Sequence, residues 1–246
     1  MKFLRFLLFP ISIIYGIIIW LRNLAYDFGV FKSHSFDLPI IAVGNLSTGG
    51  TGKSPQIEYL LRLFSDKKTA TLSRGYKRST NGFQLADSNS NAETIGDEPF
   101  QFYTKFPNVS VAVDANRVNG LGNLLKKVPD LELILLDDAF QHRKLRAGLY
   151  ILLTAYDKIF TEDFPLPTGN LREFQSGMKR AKIIVVTKCP KDLSDVERQK
   201  MSAEINPLPD QKVFFSTIEY DDFAYNKSSK IALKDFDQRK VLLAGI

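Results

Sequence analysis

A glycine-rich run that ends in lysine and serine is the first candidate for chemistry in this sequence. It reads Gly49-Gly50-Thr51-Gly52-Lys53-Ser54. Glycines allow successive backbone N–H groups to close around phosphate oxygens, the Lys53 ammonium adds positive charge, and the Ser54 hydroxyl can ligate Mg²⁺. The usual motif has an earlier glycine where Ser47 stands, so only its second half is met. The run predicts a phosphate-binding loop, and the alternative is a turn with a chance Gly-Lys-Ser.

A pair of carboxylates is the second candidate. Asp137 and Asp138 directly follow the apolar run Leu131 to Leu136. If that run is a strand beside the one that enters the glycine-rich loop, one of the two acids would lie where it can hold Mg²⁺ directly or through water. The alternative is that the acids cap the following turn, which is a common use of aspartate.

The elements that must position these residues are short apolar runs that alternate with helical stretches. This alternation predicts an α/β fold with a mostly parallel sheet, flanked by helices as in P-loop NTPases. After the loop, apolar residues recur at helical spacing, as such a motif requires. Polar loops are predicted at Asn81–Thr94 and Asp221–Lys230. The predicted strands are Pro39–Val43, Thr69–Ser73, Val109–Val113, Leu131–Leu136, Leu149–Thr154, Ala181–Thr187 and Val213–Thr217.

The N-terminus departs from this pattern. Phe6 to Leu21 carries no charge, has Arg5 before it and Arg22 after it, and includes Trp20. Basic and aromatic residues around an apolar segment are typical of a helix held at a membrane. A buried core helix is the alternative, because both kinds of helix can be apolar all round. A cleaved signal peptide is disfavoured, since no small-x-small cleavage site follows.

Composition bounds the remaining possibilities. The chain has 246 residues, of which 44% are hydrophobic and 24% charged, and this excludes disordered, collagen-like and disulfide-rich classes. A single cysteine, Cys189, gives no internal disulfide and favours a cytosolic body. The net charge of +6 suits phosphate-bearing or anionic-surface partners without requiring a nucleic acid.

Six motifs follow one another along the sequence: Val43 to Leu46, Gly49 to Pro55, Leu72 to Tyr76, Gly96-Asp97-Glu98-Pro99, Leu136 to Arg143, and Pro167 to Glu173. Taken together and in this order, they resemble those of the tetraacyldisaccharide 4′-kinase family of lipid A biosynthesis. The phosphate loop without its first glycine and the apolar N-terminus are similar to the family's versions. Ser54, Ala139 and Thr168 stand where the family frequently has Thr, Gly and Ala.

The resemblance implies a reaction and a location. The reaction is Mg²⁺-dependent transfer of the γ-phosphoryl group of ATP to the 4′-hydroxyl of a tetraacylated glucosamine disaccharide 1-phosphate. The partners would be this lipid and the bilayer surface, with no nucleic acid and no protein partner implied. The location would be the cytoplasmic face of the bacterial inner membrane.

The resemblance also implies roles for single residues. Asp97 would orient or deprotonate the acceptor hydroxyl, although an aspartate before Pro99 is also a good helix cap. Glu173 would be a further carboxylate linked to Mg²⁺. Arginine forks match phosphate oxygens. Candidates for contacts with substrate or ATP are Arg74, Arg117 and Arg143, followed by Gln141 and His142 on the sugar side.

The C-terminal end bears on the domain organisation. In the family, the catalytic aspartate pairs with a histidine from an Asp-His motif beyond a strand like Val241–Ile246. This sequence offers only His34 and His142, so we expect a truncated chain that lacks part of a second lobe. The predicted domains are a membrane-associated helix in residues 1–30, a P-loop kinase domain in 31–190 and the start of the smaller lobe in 191–246.

Two other functions stay open. Val186-Thr187-Lys188 invites a membrane-linked P-loop GTPase or ATPase switch, but Cys189 and Pro190 follow where a guanine-reading loop continues Lys-x-Asp. The missing histidine allows a lipid-binding remnant without catalytic activity.

Overall fold

An eight-stranded sheet forms the centre of the chain, and its strands run in the order β3-β4-β2-β5-β1-β6-β7-β8. The computed structural model describes residues 5–219, 222–225 and 230–232. Every neighbouring pair in the sheet is parallel except β3 with β4. The strands are β1 Ile40–Asn45, β2 Thr69–Ser73, β3 Gln84–Leu85, β4 Ser110–Val113, β5 Leu133–Asp137, β6 Leu149–Ala155, β7 Ile183–Cys189 and β8 Lys212–Thr217.

The seven predicted strands are all present, and their ends differ from the prediction by at most two residues. The predicted polar loop at Asn81–Thr94 is partly wrong, because it contains β3 and the start of a short helix. The second predicted loop, Asp221–Lys230, is wrong at Phe223–Tyr225, which form strand β9 and pair antiparallel with β10, Lys230–Ala232. The three missed strands, β3, β9 and β10, are only two or three residues long, too short to show a two-residue alternation.

The helices cover both faces of the sheet. They are α1 Phe9–Asp27, α2 Lys53–Leu63, α3 Ala92–Ile95, α4 Asp97–Lys105, α5 Arg117–Lys127 and α6 Asp195–Ile205, with 3₁₀ helices at Phe160–Glu162 and Gln175–Arg180. Alternate residues of β5 point to opposite faces. On one face Ile134 and Leu136 pack in a core with Leu124 of α5, and on the other Leu135 packs in a core with Phe102 of α4.

The chain after β7 continues the same sheet. Helix α6 leads into β8, which pairs parallel with β7, so residues 191–217 complete one more βαβ unit. The predicted boundary between residues 190 and 191 falls inside this unit, and the division into domains stays a prediction. The segment 241–246, on which the expected C-terminal strand falls, lies outside the described residues.

Helix α1 is apolar on its exposed side and polar on its buried side. Pro10 lies in its first turn, a position where the missing N–H costs no hydrogen bond. The helix continues to Asp27, six residues beyond the predicted apolar segment. Ile14 is 60% exposed and Ile18 58%, whereas Ser12 is 2% exposed. The alternative of a buried core helix is therefore wrong. Among the described helices, α1 is the one long and apolar enough to cross a membrane, with a mean hydropathy of 1.4.

Candidate active site

The glycine-rich loop joins the end of β1 to the start of α2, as a phosphate loop requires. Gly49 and Gly52 adopt φ values of +119° and +83°, a region that favours glycine. The Asn45 side chain donates to the Thr51 hydroxyl at 2.7 Å, and the Thr187 hydroxyl donates to the Thr51 carbonyl at 2.9 Å. The loop is thus braced from β1 and β7, and Lys53 begins α2.

The acid pair follows at the same edge of the sheet. Asp137 ends β5 and lies in register with Val43 of β1, the strand that enters the loop. Asp138, at a left-handed φ of +47°, carries a carboxylate 3.7 Å from the Lys53 ammonium. Two hydrogen bonds from the Arg172 guanidinium, at 3.0 and 3.1 Å, also reach this carboxylate. The Asp138 side chain therefore faces the loop and does not cap the turn.

Asp137 is a buried carboxylate at the end of β5. Its Oδ1 atom has no partner among the residues that the structure describes. Burial, with added repulsion from Glu98 and Asp138, raises its pKa to about 7. Buried polar atoms normally have a partner, so a buried carboxylate oxygen without a hydrogen-bond donor fits a site where the oxygen binds a cation.

The side chains beside the loop include oxygen ligands of the kind that Mg²⁺ takes. The Ser54 hydroxyl, at the start of α2, donates to Glu98 Oε1 at 2.7 Å, so a further carboxylate lies beside the loop. Within the described ranges, no group of three or more His, Cys, Asp or Glu side chains is arranged to hold a metal ion. Mg²⁺ at phosphate sites usually takes one or two carboxylates and completes its shell with water and phosphate. The residues present fit that mode.

A cleft of 690 Å³ opens over the loop, and we call it the first cleft. Lys53, Arg74, Asp97, Glu98, Asp137 and Asp138 are among the residues that line it. Asp97 is the first residue of α4, it is exposed, and its side chain makes no capping hydrogen bond. The cap residue is Gly96, at a φ of +96°. The interpretation of Asp97 as a helix cap is therefore wrong, and its carboxylate is available to the cleft.

A second cleft, of 440 Å³, lies between the sheet edge and α1. Tyr15, Arg22 and Asn23 of α1 form one wall, and the opposite side includes Arg117, Gln141, His142 and Glu173. Arg74, Asp138 and Arg172 line both clefts. The two clefts therefore adjoin at these three side chains, with Lys53 on one side and α1 on the other.

The comparisons with known proteins decide the family. The model of the tetraacyldisaccharide-1-P 4′-kinase family matches residues 4–246. The chain belongs to this family. The tetraacyldisaccharide 4′-kinase of Flavobacterium johnsoniae is 58% identical over 100% of this chain and 73% of that protein. Its counterpart in Bacteroides thetaiotaomicron is 49% identical over 87% of this chain and 57% of that protein.

A solved structure supports the same fold. The "apo" form of LpxK from Aquifex aeolicus in complex with ATP is 32% identical, with a TM-score of 0.70 over 92% of this chain and 86% of that one. The predicted P-loop NTPase-like sheet with flanking helices is thereby confirmed.

Glu173 of this kinase-family chain is held in a buried network. It is 1% exposed, and Arg180 donates to both of its oxygens at 2.8 Å. Further donors are Asn23 at 2.9 Å and Gln141 at 3.0 Å. Glu173 lines the second cleft and not the first. Its link to Mg²⁺ stays a prediction. In the structure, the Glu173 carboxylate connects α1 to the loop that contains Glu173, through the hydrogen bond from Asn23.

The other predicted substrate-binding residues differ in their surroundings. Arg74 is exposed between the clefts, while Arg117 is 3% exposed and donates to the backbone carbonyls of Asp114 and Asp137. Burial lowers the pKa of Arg117 to about 10. His142 has a buried Nε2 without a partner among the described residues, and burial with nearby arginines lowers its pKa to about 4. It is therefore neutral at pH 7.

Arg143 does not lie with the others. It lines neither cleft, and its guanidinium donates to the Asn23 carbonyl at 2.7 Å and to the Asp27 carboxylate at 2.6 Å. Its ring contact is with Tyr26. The described contacts of Arg143 hold the C-terminal end of α1 to the body.

Glu98 and Arg172 are site residues that were not predicted from the sequence. Both stand inside family motifs, next to Asp97 and Glu173, and that neighbourhood is the signal that could have found them. Glu98 contacts Ser54, and Arg172 contacts Asp138. Tyr15, Arg22 and Asn23 were also missed, because they lie in a segment whose composition is otherwise that of a membrane helix.

Proposed function

We propose that this chain transfers the γ-phosphoryl group of ATP to the 4′-hydroxyl of a tetraacyldisaccharide 1-phosphate in lipid A biosynthesis. Family membership supports the reaction. The structural observation that supports this reaction most directly is that the two clefts adjoin at Arg74, Asp138 and Arg172. A nucleotide in the first cleft and a sugar in the second would meet there.

The first cleft offers what a triphosphate needs. Backbone N–H groups of residues 49–52 and the start of α2 would bind the phosphates, and Lys53 would neutralise the transferring group. Arg74 and Arg172, which also line the second cleft, would add positive charge beside the phosphates. Most of the rate enhancement in phosphoryl transfer comes from such positioning and charge.

Asp137, Asp138 and Ser54 are the residues that would hold Mg²⁺. When bound, the ion neutralises phosphate oxygens and aligns the nucleotide. The buried Oδ1 of Asp137, which has no donor among the described residues, supports this assignment.

Asp97 would accept the proton of the attacking hydroxyl. Its carboxylate is exposed in the first cleft at the N-terminal turn of α4. As the sugar oxygen forms its bond to phosphorus, the bond from phosphorus to the ADP oxygen breaks, and the hydroxyl proton passes to Asp97. ADP and the 4′-phosphorylated lipid are the products.

The bilayer surface would hold the acceptor. The exposed face of α1 carries Ile11, Ile14, Ile18 and Leu21, each more than half exposed. Such a face suits the acyl region of a membrane, and the cytoplasmic side would supply ATP. Vesicle flotation tests this part: Ile14→Ser with Ile18→Ser should weaken flotation, and equal flotation of the wild type and the variant would contradict it.

Transfer from labelled nucleotide to the lipid acceptor in detergent micelles tests the reaction. The wild type should label the lipid from ATP in proportion to time and enzyme, and omission of Mg²⁺ should abolish labelling. Nucleotide hydrolysis that ignores the acceptor, with a preference for GTP, would instead favour the switch. Binding of the lipid without any transfer would favour the lipid-binding alternative.

A further inference from the structure

The buried face of α1 is built as a docking surface. Ser12, Tyr15, Gly16, Ile19 and Asn23 recur at helical spacing and therefore share one side of the helix. Ser12 and Gly16 are the buried residues of α1, and Tyr15, Ile19 and Asn23 line the second cleft. A helix that served only to anchor the protein would need no such face.

Two contacts fix where α1 sits on the segment from Thr168 to Phe174. The Ser12 hydroxyl donates to the Thr168 hydroxyl at 2.7 Å and accepts from the Thr168 backbone N–H at 2.9 Å, so both functions of this buried hydroxyl are used. At the other end, the Phe174 ring packs on Gly16, where an added Cβ would lie 2.5 Å from the ring. Helix α1 therefore contacts this segment at Thr168, where the segment begins, and at Phe174, where it ends.

Arg172 lies between these two contacts. Its backbone carbonyl accepts a hydrogen bond from the Tyr15 hydroxyl at 2.8 Å, and its backbone N–H donates to the Leu46 carbonyl at 2.7 Å. Leu46 directly follows β1, on the way into the phosphate loop. The main chain of Arg172 is thus held on one side by α1 and on the other by the loop's own segment.

The side chain of Arg172 then reaches the junction of the two clefts. Its Nη1 donates to both oxygens of Asp138, and Asp138 Oδ1 lies 3.7 Å from Lys53 Nζ. A contiguous path therefore runs from the Tyr15 hydroxyl through Arg172 and Asp138 to the phosphate loop.

We infer that Tyr15 and Ser12 are positioning residues, which hold Arg172 at the junction where the phosphoryl group would pass. The inference rests on the proposed function, since it concerns the rate of that transfer. Tyr15 acts through the Arg172 main chain, and Ser12 acts by fixing the register of α1 on Thr168. Helix α1 thereby aligns the site in addition to presenting its apolar face.

Turnover in detergent micelles, where membrane attachment no longer matters, tests the inference. Tyr15→Phe removes one hydroxyl and keeps the ring, so kcat should fall about fivefold while the KM for ATP stays unchanged, because a hydrogen bond of this kind contributes about 1 kcal/mol, which corresponds to that factor in rate. Tyr59→Phe removes an exposed hydroxyl from α2 and should leave kcat unchanged. Ser12→Ala should also lower kcat.

A double-variant cycle separates action through Arg172 from direct contact with the lipid. In an Arg172→Ala background, Tyr15→Phe should lower kcat less than twofold, because the group that it positions is gone. An equal loss in both backgrounds would show that the hydroxyl acts on something else and would overturn the inference. So would unchanged kcat in both Tyr15→Phe and Ser12→Ala. A wild type that transfers no phosphoryl group would instead refute the proposed function, and thermal melting confirms that each variant is folded.

Discussion

The two clefts are built in different ways. The groups of the first cleft that would bind phosphate come mostly from one continuous segment, residues 49–54, with the acid pair at the end of the neighbouring strand β5. The second cleft draws on α1, on the ends of β2 and β5, on α5 and on the segment around Arg172. A continuous motif can be recognised from spacing alone, whereas a site assembled from distant segments is visible only after the sheet order is known.

The difference extends to what each residue does. Lys53 and Asp97 lie at the starts of helices and line the first cleft. Arg117 and Glu173 line the second cleft and are also buried in contacts that hold elements together. Substitutions in the first cleft should therefore affect mainly turnover, and those in the second should also affect stability.

The largest effect is expected for Lys53→Ala. It removes the charge beside the transferring phosphoryl group, so kcat should fall by about 10³-fold or more while the melting temperature changes little. Lys200→Ala, an exposed lysine of α6, is the matched control and should not change kcat. Steady-state transfer assays measure both, and a loss below tenfold for Lys53→Ala would contradict the phosphate-loop assignment.

Asp97→Asn should rank next. An amide cannot take the hydroxyl proton, so single-turnover transfer should slow by about 10²–10³-fold with ATP affinity retained. Asp66→Asn, an exposed aspartate after α2, controls for loss of a surface charge. Should the rate stay within a factor of three, Asp97 has no part in proton transfer.

Glu173→Ala tests whether the second cleft is also structural. It would leave Arg180 without its buried partner, and losing one member of such a pair typically costs about 3–5 kcal/mol of unfolding free energy. Glu219→Ala breaks an ion pair with Lys191 at the surface and should cost less than about 1 kcal/mol. Urea denaturation in detergent compares the two, and equal costs would show that the Glu173 network adds no stability.

Asp137 should make stability depend on pH when metal and nucleotide are absent. Its pKa is about 7 in the folded chain and ~3.9 when unfolded, so between these values the folded state holds the extra proton. Stability therefore falls as pH rises from about 4 through 7. The melting temperature of Asp137→Asn relative to the wild type should thus be higher at pH 8 than at pH 5. A difference that stays constant, or that reverses, would refute the raised pKa.

The smallest effect is expected for Arg143→Ala. A phosphate contact is predicted for this residue from the sequence, but its side chain lies outside both clefts and binds the end of α1. In transfer assays kcat should stay within about threefold of the wild type, while the loss of the hydrogen bonds should lower the unfolding free energy by about 1–2 kcal/mol. A tenfold loss of kcat with unchanged stability would restore the predicted role.

Much of the fold could be predicted because buried parallel strands are continuous apolar runs. Thr69–Ser73 was predicted with its observed bounds. Strand β3 was missed because its two residues show no pattern, and the extent of α1 was missed because the prediction followed apolar residues, whereas the helix continues through Arg22 and Asn23. Hydropathy does not identify Arg22 and Asn23 as helical, because hydrogen bonds to Gln141 and Glu173 position them.

The site residues that could be predicted are those that lie close together in the sequence. Lys53, Ser54 and the acid pair follow from spacing. The structure brings Lys53 and both acids to one cleft, and Ser54 donates a hydrogen bond to Glu98, which lines the same cleft. The place of Arg172 could not be predicted, because it depends on how the segment from residue 163 to 174 folds back to Leu46 and to Tyr15. No local pattern encodes a contact of that kind.

The position of the new phosphate on the lipid tests the proposed reaction in one measurement. The product formed from ATP and the tetraacyldisaccharide 1-phosphate should be analysed by phosphorus–proton correlation NMR. A second phosphomonoester coupled to the proton at carbon 4′, absent with Lys53→Ala, is the expected result. A phosphate at any other carbon, or no new phosphate while ATP is consumed, would contradict the proposal that the two clefts join a nucleotide to this hydroxyl.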